Sequence, residues 1–251
     1  MEQHKKIAVA GATGRVGRHV VDILQAAGHD VVPISRSRGV DVVTGAGLAE
    51  ALAGVDVIVD AASGPSADER EATEFFVAAA ENLQHEGERA GVRRIVAVSI
   101  VGIDRFGGGY MAAKIAHERT LLAGPLPVVI LRATQFHEFV GQVVEWGTQG
   151  DVAYVPRMQT QLIAARSVAE RLAELALEDD PPALSEIAGP RPESSVEAAR
   201  LLVGDRLRVE GVPSPEDAEL YENGGLLPDP GATLAGPTFA EWLAESRSVA
   251  R

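Results

Sequence analysis

The chain has 251 residues and a formal net charge of −13, from 36 Asp and Glu against 23 Lys and Arg. That length buries a core large enough for one α/β domain, and that charge opposes a non-specific nucleic-acid surface, which needs clustered cations. The absence of cysteine excludes disulfides, iron–sulfur clusters and thiolate chemistry.

The first element is an apolar run, Ile7-Ala8-Val9-Ala10, short enough for a strand buried on both faces. Gly11, Gly14 and Gly17 follow at a spacing of three, and then Val16, Val20, Ile23, Leu24 and Ala27 recur at helical intervals up to Gly28. A strand, a glycine turn and a helix in that order form a phosphate-binding unit. Glycines permit a sharp turn and close approach of backbone to a pyrophosphate, and the free N–H groups of the helix start favour an anion. The spacing is G-x-x-G-x-x-G rather than G-x-G-x-x-G, a variant of the dinucleotide fingerprint. The turn Gly11, Ala12, Thr13, Gly14, Arg15, Val16 and Gly17 is therefore the first candidate cofactor contact.

Asp30–Ile34 reads as a second strand, ending at Ser35-Arg36-Ser37-Arg38. An acid at this strand end bonds the ribose hydroxyls of NAD, whereas a basic residue accommodates the 2′-phosphate of NADP. Here Arg36 and Arg38 hold that position and Asp30 stands at the opposite end, so NADP(H) is expected over NAD(H). Val40–Val43 reads as a third strand, Leu48–Leu52 as a short helix and Val55–Val59 as a fourth strand. The small residues Ala61, Ala62 and Ser63 after it suit a loop across which a cofactor lies. Ser66-Ala67-Asp68-Glu69 has the pattern of a capping box opening a long helix that ends near Gly91. Arg94–Val98 and Val128–Leu131 complete six strands, and strands alternating with helices predict a doubly wound parallel sheet.

Beyond residue 140 the pattern loosens. Val152–Val155 reads as a strand, Ser167-Val168-Ala169-Glu170 as a second capping box, and Val196–Val203 and Phe239–Ala244 as helices. With no linker, repeat or low-complexity tract, one domain is expected over 1–251. Its core spans about 5–140, and a smaller C-terminal portion of about 141–251 is expected to lie over the cofactor cleft. No apolar run reaches membrane-spanning length, and MEQHKK leaves no room for a signal peptide, so a soluble cytoplasmic protein is expected.

Two further stretches carry chemistry. Tyr110 and Lys114 are four apart, so on a helix the phenol and the ammonium share one face. A free tyrosine titrates at about 10, and a neighbouring cation favours its phenolate. Such a tyrosine exchanges a proton with a carbonyl oxygen as hydride moves to or from carbon, although the same spacing also arises by chance on helices. Ser99 follows the fifth strand, where ligands bind in open parallel sheets, and its hydroxyl either bonds a substrate oxygen or satisfies a turn.

The glycine turn, Ser99 and Tyr110-x-x-x-Lys114 together resemble the short-chain dehydrogenase/reductase superfamily. Ala10-Gly11-Ala12-Thr13-Gly14 and Leu131-Arg132-Ala133-Thr134-Gln135-Phe136 are similar to its atypical, NmrA-like branch of NAD(P)H-binding proteins. The resemblance implies a Rossmann fold with Tyr110 as acid/base. It implies that Lys114 bonds the nicotinamide ribose and lowers the Tyr110 pKa, that Ser99 orients substrate, and that Ala133, Thr134, Gln135 and Phe136 pass beside the nicotinamide. The usual Asp of the loop after the third strand is Ala46 here, which removes one contact near the adenine.

The expected activity is NADPH-dependent reduction of a small carbonyl- or quinone-type molecule. The alternative is a non-catalytic NADP(H)-sensing regulator of the NmrA-like type, which would not need Tyr110. An epimerase or dehydratase comes third, because a short C-terminal portion leaves little room for a sugar nucleotide. Arg132 is read either as a substrate ligand or as the partner of a carboxylate. His137 reads as a packed or solvent-facing residue before a catalytic one, and Phe136, Phe139 and Trp146 as core before pocket lining. The other histidines show no paired spacing, so no metal site is expected. A small-molecule substrate is the expected partner, with no nucleic acid or membrane, and the oligomeric state is open.

Overall fold

A computed structural model of the protein describes residues 4–249. Met1–Gln3, within the stretch read as too short for a signal peptide, and residues 250–251 lie outside the described residues. The strands are β1 Lys6–Ala10, β2 Asp30–Ile34, β3 Val57–Asp60, β4 Arg94–Ile100, β5 Val128–Ala133, β6 Thr148–Gln149, β7 Val152–Pro156, β8 Gln159–Thr160, β9 Leu184–Ala188, β10 Glu193–Ser194, β11 Arg208–Val212 and β12 Thr233–Leu234. The helices are α1 Gly17–Ala26, α2 Leu48–Ala51, α3 Glu69–Ala90, α4 Gly109–Ala123, α5 His137–Gly147, α6 Ala165–Leu177, α7 Ser195–Val203, α8 Ala218–Glu222 and α9 Phe239–Val249.

The central sheet has the order β12-β9-β5-β4-β3-β1-β2. β1 runs parallel to both β2 and β3, with Ala8 opposite Val32 on one side and Ile58 on the other, and β3 runs parallel to β4. Ile7 to Ala10 and Val57 to Val59 are fully buried, as strands of a sheet covered on both faces must be. This is the expected Rossmann-type α/β fold. No helix among the described residues is long and apolar enough to cross a membrane.

Contacts divide the chain into two compact units. The first comprises residues through Ser99, Gly108–Arg132 and Val168–Ser185. Its core packs the β-strand residues Ala8, Ala10, Ile58, Ile95 and Ala97 against Leu48 and Leu52 near α2 and Ala79, Ala80 and Leu83 of α3. The second comprises Ile100–Gly107, Ala133–Ser167 and the chain from Glu186. In it β7 pairs in parallel with β11 and antiparallel with β6, and Val140, Val144, Val155, Val196 and Phe239 share a core.

Three local expectations are corrected. Val40–Val43 is a turn, not a strand: the Asp41 side chain accepts the Val43 N–H at 2.8 Å and the Asp41 N–H goes to Ala46 O, while Asn82 of α3 donates to the carbonyls of Val42 and Val43. The long helix is capped by Asp68, which accepts the Glu71 N–H at 3.0 Å, and Ser66 instead accepts from Asp68. Ser167 lies inside α6, which has already begun at Ala165.

Candidate active site

The first unit brings the glycine turn to the carboxyl ends of β1, β2 and β3. Gly11 has φ +73°, and its N–H neighbour Ala12 donates to Ile34 O at the end of β2. A Cβ on Gly11 would lie 2.5 Å from Ala61 O, so the turn and the Ala61–Ser63 loop are in direct contact. A Cβ on Gly17 would lie 2.2 Å from Gly11 O, which is why the first turn of α1 can sit against the glycine turn. No side chain caps α1 and no acidic residue occupies its first turn, leaving a helix N-terminus that favours an anion. Arg36 and Arg38 form the short 3₁₀ turn after β2, and both are exposed. These groups fit a dinucleotide: small backbone against the diphosphate, an uncapped dipole and cations beside the adenosine end.

Tyr110 opens α4, whose Gly109 N–H donates to Glu69 at 2.6 Å. The first residue of α4 is thus tied to α3. The Tyr110 hydroxyl lies 3.4 Å from Ser63 Oγ, bringing it to the same loop that Gly11 touches. Its ring packs edge-on against Phe76 at 5.8 Å. Burial raises the Tyr110 pKa, and the Ser63 contact offsets this only in part. The resemblance implies that Lys114 lowers it, but only burial and the Ser63 contact act on the phenol here. The Lys114 ammonium instead donates to Val98 O and lies beside His117 Nδ1, both at 3.0 Å. The phenol therefore remains protonated at neutral pH.

Ser99 lies within β4 rather than after it. Its hydroxyl is buried and has no hydrogen-bond partner among the described residues. An orphaned buried hydroxyl at a strand end is what a substrate oxygen would satisfy.

Arg132 is engaged by Glu118, with Nε and Nη2 donating at 3.0 and 2.7 Å, so its carboxylate-partner role is the one realised. His137 is fully buried in the second unit, donating from Nε2 to Pro237 O at 3.0 Å and packed on Phe239 and Trp242. Burial lowers its pKa. The segment Ala133–Phe136 also belongs to the second unit, where Thr134 bonds Gln161 O and Gln135 bonds Thr160. Gln135, Phe139, Val143, Trp146, Tyr154 and Tyr221 line a cavity of about 340 Å³ there, and no residue lining it is charged. Phe139 and Trp146 are thus pocket lining, while Trp146 keeps an exposed face. Among the described residues no cluster of three or more His, Cys, Asp or Glu side chains could hold a metal ion.

His117 and Asp60 are the residues that sequence reading passed over. Lys114 and His117 are three apart on one helix, and Asp60 ends the strand before the Ala61–Ser63 loop, which together were the available signal.

A family model described as NAD(P)H-binding matches residues 11–179. No curated protein matches the chain. Among solved structures, a dTDP-4-dehydrorhamnose reductase from Clostridium acetobutylicum aligns over 98% of this chain and 100% of its own, with a TM-score of 0.76 and 15% identity. The NAD-dependent NDP-hexosamine 5,6-dehydratase TunA aligns over 98% of each chain, at a TM-score of 0.75 and 17% identity. MoeE5, in complex with UDP-glucose and NAD, aligns over 98% of this chain and 100% of its own, at 0.70 and 18%. At such identities the likeness is one of fold. All three align along nearly the whole of both chains.

Proposed function

The chain belongs to the NAD(P)H-binding family, of the atypical short-chain dehydrogenase/reductase kind, and from that premise we propose that it is an NADPH-dependent reductase of a small, uncharged carbonyl- or quinone-type molecule. The observation that carries this reading is the convergence of the glycine turn, the Ala61–Ser63 loop and Tyr110 at one set of strand ends. The Gly11–Gly17 turn would hold the diphosphate, Arg36 and Arg38 the 2′-phosphate, and Lys114 the nicotinamide ribose. Bound NADPH supplies hydride to the carbonyl carbon. Tyr110, kept protonated by burial, gives its phenolic proton to the carbonyl oxygen. Ser99 donates a hydrogen bond to that same oxygen and orients it. Within the second unit, the Phe139–Trp146 cavity has no charged lining and suits an apolar ligand, whereas the diphosphate of a sugar nucleotide calls for cations such as Arg157 and Arg200 of the other cavity there.

NADPH oxidation, followed by absorbance against a panel of quinones, aldehydes and ketones, with dTDP-4-dehydrorhamnose, a sugar nucleotide that carries a reducible ketone, as contrast, tests this. Turnover is expected with the apolar carbonyl compounds and absent with dTDP-4-dehydrorhamnose. Tight NADPH binding without turnover on any of them would replace the reductase with the dinucleotide sensor.

The Arg pair gives a separate prediction. A charge-assisted hydrogen bond contributes about 1.5–3 kcal/mol, so Arg36→Ala/Arg38→Ala should weaken NADPH binding by roughly tenfold to a hundredfold. NADH binding, lacking the 2′-phosphate, should change by less than about threefold. Equal losses for both nucleotides in a fluorescence titration would remove the pair from cofactor selection.

A further inference from the structure

Asp60, His117 and Lys114 form a line of buried polar groups in the first unit, and only the last has a task so far. Asp60 ends β3 and is 1% exposed. One of its oxygens accepts the Ala62 N–H at 3.0 Å, and the other lies 2.9 Å from His117 Nε2. His117 is 2% exposed, and its Nδ1 lies 3.0 Å from the Lys114 ammonium. An ammonium has donors only, so His117 Nδ1 must accept. The imidazole proton is then on Nε2, where it donates to Asp60. Carboxylate, neutral imidazole and ammonium thus form one chain of fixed polarity.

The surroundings make that chain consequential. Phe76 of α3 covers the Lys114 ammonium at 4.4 Å and the His117 ring at 4.9 Å, and β4 offers only the Val98 carbonyl. Besides Asp60, the one acid acting on Lys114 is Glu118 of the same helix, already held by Arg132 of β5. Burial pulls the Lys114 pKa down to about 8, with Asp60 the larger of the two opposing charges. Burial also acts to raise the Asp60 carboxyl, but the His117 Nε2–H hydrogen bond, with the Ala62 N–H and the Lys114 charge behind it, holds it below its ordinary value. A lysine enclosed in this way sheds its proton unless an anion compensates it. His117 transmits that compensation while leaving one ammonium N–H for a ligand.

We propose that Asp60 and His117 are positioning residues of the dinucleotide site, a carboxylate–imidazole clamp that fixes the Lys114 ammonium in place and keeps it protonated. The clamp rests on the proposed function only in the further step that a charged Lys114 holds the ribose.

The chain has three lysines, Lys5, Lys6 and Lys114, so a ¹³C-lysine NMR titration of the whole protein resolves each of them. The Lys114 signal is identified by its loss in Lys114→Ala. Asp60→Asn keeps the size and hydrogen-bonding capacity of the carboxylate and removes its charge. It should lower the Lys114 midpoint by about one pH unit or more. It should also weaken NADPH binding at pH 7.5 by roughly threefold for a shift of one unit, and more for a larger one, with recovery as the pH falls to 6.5 and the lysine regains its proton. His117→Asn, which keeps a polar group near Nδ1 but does not reach Asp60, should move the midpoint the same way. A Lys114 midpoint unchanged in both variants overturns the clamp. A shifted midpoint with unaltered NADPH affinity upholds the clamp and removes Lys114 from cofactor binding, so the two readings fail separately.

Discussion

Replacing Gly17 by alanine is expected to abolish tight NADPH binding while leaving a folded protein of reduced stability. The added Cβ would sit 2.2 Å from Gly11 O and 2.7 Å from Gly11 C, both backbone atoms that no rotamer change can move aside. Helix α1 must therefore retreat from the turn. Overpacking of this kind costs about 1–3 kcal/mol, which lowers the Tm of a chain this size by roughly 2–12 °C. The turn moves with the helix, and a displacement of an ångström takes the backbone donors away from the diphosphate. Gly28→Ala is the control. Gly28 also ends a segment at φ +85°, but its Cβ would meet no atom within 4 Å. It should cost about 1–2 kcal/mol of backbone strain with NADPH affinity within about twofold of wild type. Calorimetry separates the pair: both variants melt earlier, and only Gly17→Ala loses the nucleotide. NADPH affinity preserved in Gly17→Ala would mean that this turn is not where the diphosphate binds.

The same close approach explains what was legible in the sequence. Three glycines between an apolar tetrapeptide and an amphipathic decapeptide leave the backbone few options, so β1, the turn and α1 read correctly. Where a side chain competes with the ladder, the reading fails. Val40–Val43 has strand composition, yet Asp41 folds the backbone into a turn and Asn82, forty residues away, satisfies its carbonyls. Ser66 matches a capping box, but Asp68 reaches the helix N–H first. In both cases a short polar side chain decides locally against the pattern.

The site was half legible for a similar reason. Tyr110 and Lys114 are announced by their spacing, but spacing says only that two side chains share a face. It does not say which partner each takes. Lys114 meets His117 and Val98, His117 meets Asp60, and Tyr110 meets Ser63. Asp60 and His117 are 57 residues apart, and only the fold makes them neighbours. Phe139 and Trp146 were equally opaque: their apolar character suits a core and a pocket alike, and only the cavity between the α5 and β7 residues distinguishes the two.

Tyr110→Phe should reduce kcat by about 10²- to 10⁴-fold, the range a positioned general acid contributes, with NADPH affinity within about threefold of wild type. The ring keeps its packing on Phe76, and among the described residues the lost hydroxyl has one long contact, 3.4 Å from Ser63, so stability should hardly change. The pH profile adds an independent check. Burial keeps the phenol protonated past its ordinary range, so in the reductive direction Tyr110 imposes no alkaline limit near neutrality. Lys114, with its pKa pulled down by burial to about 8, loses its charge first. The wild-type kcat/KM should therefore fall above about pH 8 with the lysine, well before the tyrosine ionises, and the fall should persist in whatever residual activity Tyr110→Phe retains. Turnover that survives the substitution intact would keep an oxidoreductase and transfer the acid's role elsewhere. An alkaline limb that vanishes with the tyrosine would assign that ionisation to Tyr110 and undo the protonated phenol on which the mechanism depends.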